Sequence, residues 1–318
     1  MLARNPPSHR QFTGDLILTI LAIKIDVDTD RGTRIGVPNL LNLFKELQIP
    51  ATFLFSLGPD NTGRAIKRIF HPGFLKKVSR TSIISTYGIR TLLNGVLLPG
   101  PHIGKKNEQI IRSVEQAGHE VGIHCYDHIR WQDGVQTMSQ LEVFNEFAKA
   151  RNEFQRIFKK PAKTAGAAGW QANEKSLAAY DDAQLLYGSD CRGKFPFKPR
   201  VGEKIFNTIQ IPTTLPTLDE LVGRPEYPIN QLTAHYLKLL QLNELNVFTT
   251  HAEIEGMKYL AWFKEFLISA KKQGVQFATL ETIANQLLQN ANAIPINELI
   301  QGSVDGRSGT MAVQELTE

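Results

Sequence analysis

Three short runs carry residues whose types and spacing could do chemistry: Asp26-Val27-Asp28, His124 through His128, and His251-Ala252-Glu253. His124 and His128 stand four apart after an apolar stretch, so a turn or short helix can aim both imidazoles at one divalent cation. Two histidines need a third ligand to be convincing, and Asp28 can supply it. Two imidazoles and one carboxylate leave coordination positions open for water and substrate, as a catalytic site requires. Asp26 and Asp28 are two residues apart and share one face of a continuing strand. Carboxylates that close raise each other's pKa unless a cation intervenes, which favours one as ligand and the other as a proton-handling group. Alone, a histidine pair is more often structural and Asp-x-Asp more often a strand-ending loop or a helix cap. It is their coincidence that points to a site.

The elements that must position these residues can be read from hydrophobic periodicity. Residues 16–28 are rich in Ile, Leu and Val and end in acidic residues, as a buried parallel strand running into a functional loop would. The pattern predicts a helix over 37–47, a strand over 51–57, a helix over 108–116, a strand over 120–124 and a helix over 139–157. It then predicts a strand ending near Gly166, a helix over 174–180, strands over 185–190 and 247–250, a helix over 258–272, a strand over 275–278 and a helix over 280–288. Such alternation implies an α/β fold with a mostly parallel sheet and helices outside it, closed as a barrel or open. Asp26, Asp28, His124, Asp127, His128, Asp190, His251 and Glu253 all fall at predicted strand ends. In parallel barrels those ends form one rim, so distant residues converge there.

The chain has 318 residues, 42% apolar and 21% charged, which fits a soluble globular protein and excludes a wholly disordered or collagen-like one. Two cysteines, Cys125 and Cys191, make neither a disulfide framework nor a four-thiolate zinc site. The apolar run at 16–23 is too short for a membrane helix of about 20 residues and leads into Asp26 with no cleavage pattern. Residues 1–15 read as a loose extension, 16–300 as one barrel domain with a basic segment at 58–106, and 301–318 as a weakly ordered polar tail. Net charge is +5, yet residues 64–106 hold nine Lys and Arg with no Asp or Glu. These charges are mixed with Ile, Phe, Leu, Val and Tyr, which suits an anionic membrane surface better than nucleic acid, for which no motif is present.

The chain resembles the polysaccharide (NodB-type) deacetylases. Ile25-Asp26-Val27-Asp28, His124-Cys125-Tyr126-Asp127-His128 and Thr249-Thr250-His251 occur in the order of that family's first, second and last motifs. The resemblance implies an irregular (β/α) barrel in which Asp26 is the general base, Asp28, His124 and His128 bind the metal, and His251 is the general acid. It implies one divalent metal ion, zinc first, with manganese, cobalt or nickel as alternatives. A closer resemblance is to the bacterial branch that removes formyl from 4-deoxy-4-formamido-arabinose on undecaprenyl phosphate, in lipid A modification. That likeness runs from about Lys24 to Arg307 and includes Ala167-Ala168-Gly169-Trp170, Ser189-Asp190-Cys191-Arg192-Gly193 and His251-Ala252-Glu253-Ile254-Glu255-Gly256. It implies a polyprenyl-phosphate-linked amino sugar as partner and a place on the cytoplasmic face of the inner membrane. Related enzymes deacetylate an N-acetylhexosamine on the same carrier.

One departure stands out. General family members carry an arginine- and proline-containing third motif, whereas this chain reads Ala-Gly-Trp around Trp170. Arg192 is the expected replacement for orienting the base. Asp190 is the carboxylate expected to hold His251 in its charged form. Trp170 is the expected platform for a sugar ring, Arg31 and Arg192 the expected phosphate contacts, and Glu253 a further substrate contact. Two rivals remain: a degenerate barrel that binds glycolipid without hydrolysing it, and a two-metal phosphoesterase, which would want more ligands.

Overall fold

The computed structural model describes residues 18–65, 89–242 and 244–316. The expected extension at 1–15 and the middle of the basic segment lie outside the described residues.

Strand β1, Ile20–Val27, is the axis of the fold. All along one side it pairs in parallel with β9, Leu245–His251, in the register Asp26 to His251. Its other side is shared by β10, Gln276–Ala278, at Ile20 to Ala22, and by β2, Thr52–Ser56, at Lys24 to Val27. From β2 the parallel order continues through β3, Glu120–Cys125, β4, Thr164–Ala165, β5, Tyr187–Gly188, and β8, Ile209–Gln210. Beyond β8 the backbone N–H groups of Thr214 and Leu215 both donate to the Val247 carbonyl of β9, at 3.1 and 3.2 Å. The eight-stranded sheet is thereby drawn round into the expected irregular barrel.

Alternation along β1 divides the core in two. Leu21, Ile23, Ile25 and Val27 face outward into the layer of helices, among them Val37–Leu47 and Leu260–Lys272, meeting Leu40, Phe44, Phe263 and Phe266. Ala22 faces the other way, into a smaller apolar cluster with Tyr187, Ile209, Ile211, Val247 and Leu280. Lys24 and Asp26 share the face of Ala22 but stand further along the strand, where the interior turns polar.

Several sequence-based expectations hold to the residue: the helices Val37–Leu47, Glu108–Gln116 and Leu280–Leu288 occupy the predicted spans. Others do not. The supposed tail forms β12, Met311–Gln314, antiparallel to β11, Ile296–Gly302. With β6, Lys198–Val201, and β7, Lys204–Ile205, they make a four-stranded sheet in the order β12-β11-β6-β7. β12 is held on its other edge as well, since Arg192 N–H donates to the Ala312 carbonyl at 3.0 Å and Gln314 N–H to the Arg192 carbonyl at 2.8 Å. Those backbone partners lie over a hundred residues away in sequence, so a four-residue apolar pattern could not announce them.

The described ends of the basic segment are moored to the barrel. Asp30, just past β1, pairs with Lys106 at 2.9 Å and accepts from Asn107 at 2.9 Å. Asp60 accepts the Asp30 N–H at 3.0 Å, and Asn61 donates to Asp127 at 2.6 Å. Lys106 is therefore spent on a contact within the protein. Lys67, Arg68, Lys76, Lys77 and Arg80 lie outside the described residues.

Candidate active site

The three residues expected to be metal ligands come together as the spacing predicts. β3 ends beyond His124, and Asp127 then caps the helix His128–Gly134 by accepting the Arg130 N–H at 3.0 Å. This strand-to-helix turn brings the two imidazoles to 5.2 Å between ring centroids. Asp28 Oδ1 lies 3.3 Å from His124 Nε2 and 3.5 Å from His128 Nε2. All three ligand atoms fall within 4.8 Å of one another. Yet Asp28 Oδ1 is buried without a hydrogen bond, so the three atoms converge without the directed geometry of a proton shared between them. Two nitrogens and a carboxylate oxygen aimed at a common point fit a divalent cation.

Electrostatics agree. Burial opposes the Asp28 charge, but His128, His124 and His251 outweigh it and hold the carboxyl well below the usual carboxylate range. Burial likewise opposes charging of His124, while Asp26 and Asp28 outweigh it and raise the imidazole pKa. A cation arriving there would displace a proton.

The base and acid candidates are neighbours. Asp26 and His251 sit opposite each other on adjacent parallel strands, and residues in register on a sheet point to the same face. Asp26 is 4% exposed, its Oδ1 3.7 Å from His124 Nδ1. His251 is half-buried, with Nδ1 making no hydrogen bond.

The structure corrects four expectations. Asp190 does not serve His251: no hydrogen bond or ion pair joins them. Its carboxylate instead accepts from Ala167 N–H at 2.6 Å, Tyr180 hydroxyl at 3.1 Å and Gln210 amide at 2.8 Å, and burial lifts its pKa to about 6. The residue that touches His251 is Glu255, which accepts its backbone N–H at 2.8 Å. Trp170 is not an open sugar platform. It is 2% exposed, covered by Lys24, Arg192 and Arg307 at 5.6, 5.3 and 4.6 Å from the ring, and its Nε1 donates to Thr213.

Arg192 neither orients the base nor waits for phosphate. Its guanidinium pairs with buried Glu220 at 2.6 Å and donates to the Leu215 carbonyl at 3.0 Å. Glu253 is fully buried behind the ligand loop, where Oε1 accepts from Asp28 N–H at 3.2 Å, Thr29 N–H at 2.9 Å and the Thr29 hydroxyl at 2.7 Å. It fixes the loop that carries Asp28 and has no surface left for substrate. Arg31 is half-buried, with its Nε enclosed and without a hydrogen-bond partner.

Behind the site two glycines explain how these loops fit. Each of the segments following β1 and β9 makes a wide helical turn, Gly32–Gly36 and Ile254–Lys258, and the two pack backbone to backbone. A Cβ on Gly256 would meet Gly36 Cα at 2.9 Å, closer than real carbon contacts allow.

Sequence reasoning missed Lys24. It is fully buried, its ammonium 3.5 Å from Asp26 Oδ2. The signal was present, because Lys24, Asp26 and Asp28 follow the period of two that puts them on one face of β1.

An irregular parallel barrel with an Asp-His-His trio at its mouth, flanked by a carboxylate and a histidine, has the make-up of a single-metal hydrolase site. The chain belongs to the polysaccharide deacetylase family, whose pattern matches residues 27–188. It is 39% identical, over 93% of its length and 95% of the relative's, to a Shewanella sediminis (strain HAW-EB3) protein named as a 4-deoxy-4-formamido-L-arabinose-phosphoundecaprenol deformylase. A protein of the same name from Wigglesworthia glossinidia brevipalpis is 37% identical over 89% of this chain and 98% of that one. Among solved structures, a Mycobacterium smegmatis protein described as a polysaccharide deacetylase superposes with a TM-score of 0.64 at 17% identity, covering 94% of this chain and 99% of that one. A Pseudomonas aeruginosa PAO1 protein described in the same way gives 0.57 at 16% identity, covering 86% and 92%. These two structures bear on the fold.

Proposed function

We propose that this protein hydrolyses the N-formyl amide of 4-deoxy-4-formamido-arabinose carried on undecaprenyl phosphate, a step of lipid A modification. The observation that carries the reading is the register of Asp26 with His251 beside the Asp28, His124 and His128 trio. An amide is a poor electrophile with a poor leaving group, so its hydrolysis needs an activated water, a stabilised oxyanion and a protonated nitrogen. Asp28, His124 and His128 would hold a divalent cation, zinc first among the candidates, which would supply Lewis-acid polarisation of the carbonyl and acidification of a water. Asp26 takes the proton from the attacking water. His251, on the neighbouring strand, delivers a proton to the departing amine. Arg31, at the start of the turn that follows Asp28, supplies a positive charge for the phosphate linking sugar and lipid. Base, ligands and acid together at one mouth argue against a purely binding barrel.

The same reading places the protein peripherally on the cytoplasmic face of the inner membrane. No helix among the described residues is long and apolar enough to cross a membrane. In the basic segment, Val96, Leu97 and Leu98 form an exposed apolar turn, Leu97 being 76% exposed, which suits contact with an anionic leaflet.

The decisive experiment offers the purified protein formamido-arabinose phosphopolyprenol and N-acetylhexosamine phosphopolyprenol in parallel and reads the mass change of each. Loss of formyl from the first alone is the expected result. Loss of acetyl from the second alone would reassign the substrate, and no change in either would remove the enzymatic reading.

A further inference from the structure

We propose that Lys24 is the positioning residue for the base Asp26, taking over from β1 the work that Arg192 was expected to do. The proposal rests on the reading of Asp26 as base.

Three contacts and full burial define the ammonium. It lies 3.5 Å from Asp26 Oδ2, donates to the Ser189 carbonyl at 3.0 Å and sits over the Trp170 ring at 5.6 Å, and its side chain is fully buried. A second buried carboxylate, Asp190, feels its charge without pairing with it. Two residues below Asp26 on one strand, Lys24 is in register with Thr249 on β9, as Asp26 is with His251. It therefore stands directly beneath the base and acid pair, on the lumen side.

The surroundings are shaped for that ammonium. A Cβ on Gly166 would come within 3.0 Å of the Ser189 carbonyl oxygen and 3.4 Å of Lys24 Nζ, so glycine there keeps the space open. Trp170 and the preceding Gly169 both have positive φ, 54° and 62°, which costs strain for a tryptophan and turns its ring into the interior. That ring has Lys24 over it, while Arg192 and Arg307 over the same ring are both tied to Glu220. Trp170 thus lies between the catalytic lumen and the anchorage of the C-terminal sheet.

A buried ion pair rarely gains net stability, because desolvating both charges offsets their attraction. Its location beneath the base gives a reason for its presence that stability does not. A carboxylate that must accept a proton in one direction cannot be left to rotate, and a fixed ammonium on one oxygen sets its plane. With Lys24 removed, Asp26 keeps its place on the strand but loses the contact that orients it. Turnover should suffer while substrate and metal still bind.

The test is a double-mutant cycle on the metal-loaded, full-length protein with formamido-arabinose phosphopolyprenol, comparing Lys24→Met, Lys24→Gln, Asp26→Asn and each Lys24 change combined with Asp26→Asn. Metal content and Tm are measured on every variant. In Lys24→Met, and equally in Lys24→Gln, kcat should fall by about a hundredfold with KM and metal stoichiometry near wild type. Added to Asp26→Asn, neither should cause further loss, because residues acting as one unit are not additive. A kcat within about threefold of wild type in either folded Lys24 variant would overturn the proposal, as would an undiminished loss in the Asp26→Asn background. If both Lys24 variants fail to fold or to retain metal, Lys24 is a structural residue and the proposal also falls. High activity in Asp26→Asn alone would instead remove the base assignment, whatever the Lys24 variants do.

Discussion

The two ends of the barrel are built from the same strands and hold opposite chemistry. At one end Ala22, Tyr187, Ile209, Val247 and Leu280 close the interior with apolar surface, and the buried Glu120 carboxylate beside them is satisfied, accepting from Thr52 and Tyr187, each at 2.6 Å. At the other end, Asp26 Oδ1, Asp28 Oδ1, His124 Nδ1 and His251 Nδ1 are buried without hydrogen bonds. Unsatisfied buried polar atoms cost free energy, and here most of a constellation of them lies around one point. The sealed end carries stability. The mouth gives some of it up to hold groups ready for a cation, a water and an amide.

The sharpest way to break this comparison is to remove a ligand at the mouth. His124→Ala and Asp28→Ala are expected to lose both bound divalent metal and all measurable turnover while keeping the fold, as checked by elemental analysis, assay and circular dichroism. Full metal content in both would mean that the trio is not the metal site.

Next in size is Asp26→Asn, which should keep metal and fold and lose turnover by about 10²–10⁴-fold, the usual worth of a positioned base. A loss below about tenfold, worth ~1.4 kcal/mol, would move the role elsewhere.

The sealed end should respond in the opposite way. Ile209→Ala removes a fully buried side chain there and should lower unfolding stability by about 2–5 kcal/mol in denaturant titration, with kcat of the folded fraction unchanged. A fall in kcat at full occupancy of the folded state would show that the two ends are coupled.

The smallest effect concerns the basic segment. Replacing Lys76, Lys77 and Arg80 by Glu should weaken co-sedimentation with anionic liposomes by roughly 1 kcal/mol for each positive charge removed, and added salt should weaken it in the unmodified protein. Hydrolysis of a short-chain, water-soluble substrate should survive the triple change. Binding unaltered by both treatments would make the basic segment an ordinary solvated face.

Sequence by itself determined the barrel and its centre. The trio was legible because Asp28 and His124 sit at the ends of apolar strands and His128 follows at the start of the next helix, where period two and the four-residue histidine spacing dictate direction with little help from distant residues. Roles that depend on which strands become neighbours were not legible. Nothing in the spacing of Asp190 and His251 says whether they meet, and the fold sends Asp190 to Ala167, Tyr180 and Gln210 instead. Trp170, Arg192 and Glu253 have the chemistry of substrate contacts, yet Glu220, Arg307 and Thr29 occupy them first. Lys24 was visible as a charge in an apolar strand, but its value as a partner for Asp26 depends on the Ser189 carbonyl and the Trp170 ring arriving from other strands. A side chain's direction is set by local backbone period, while its partner is set by sheet order, and only the folded chain decides that.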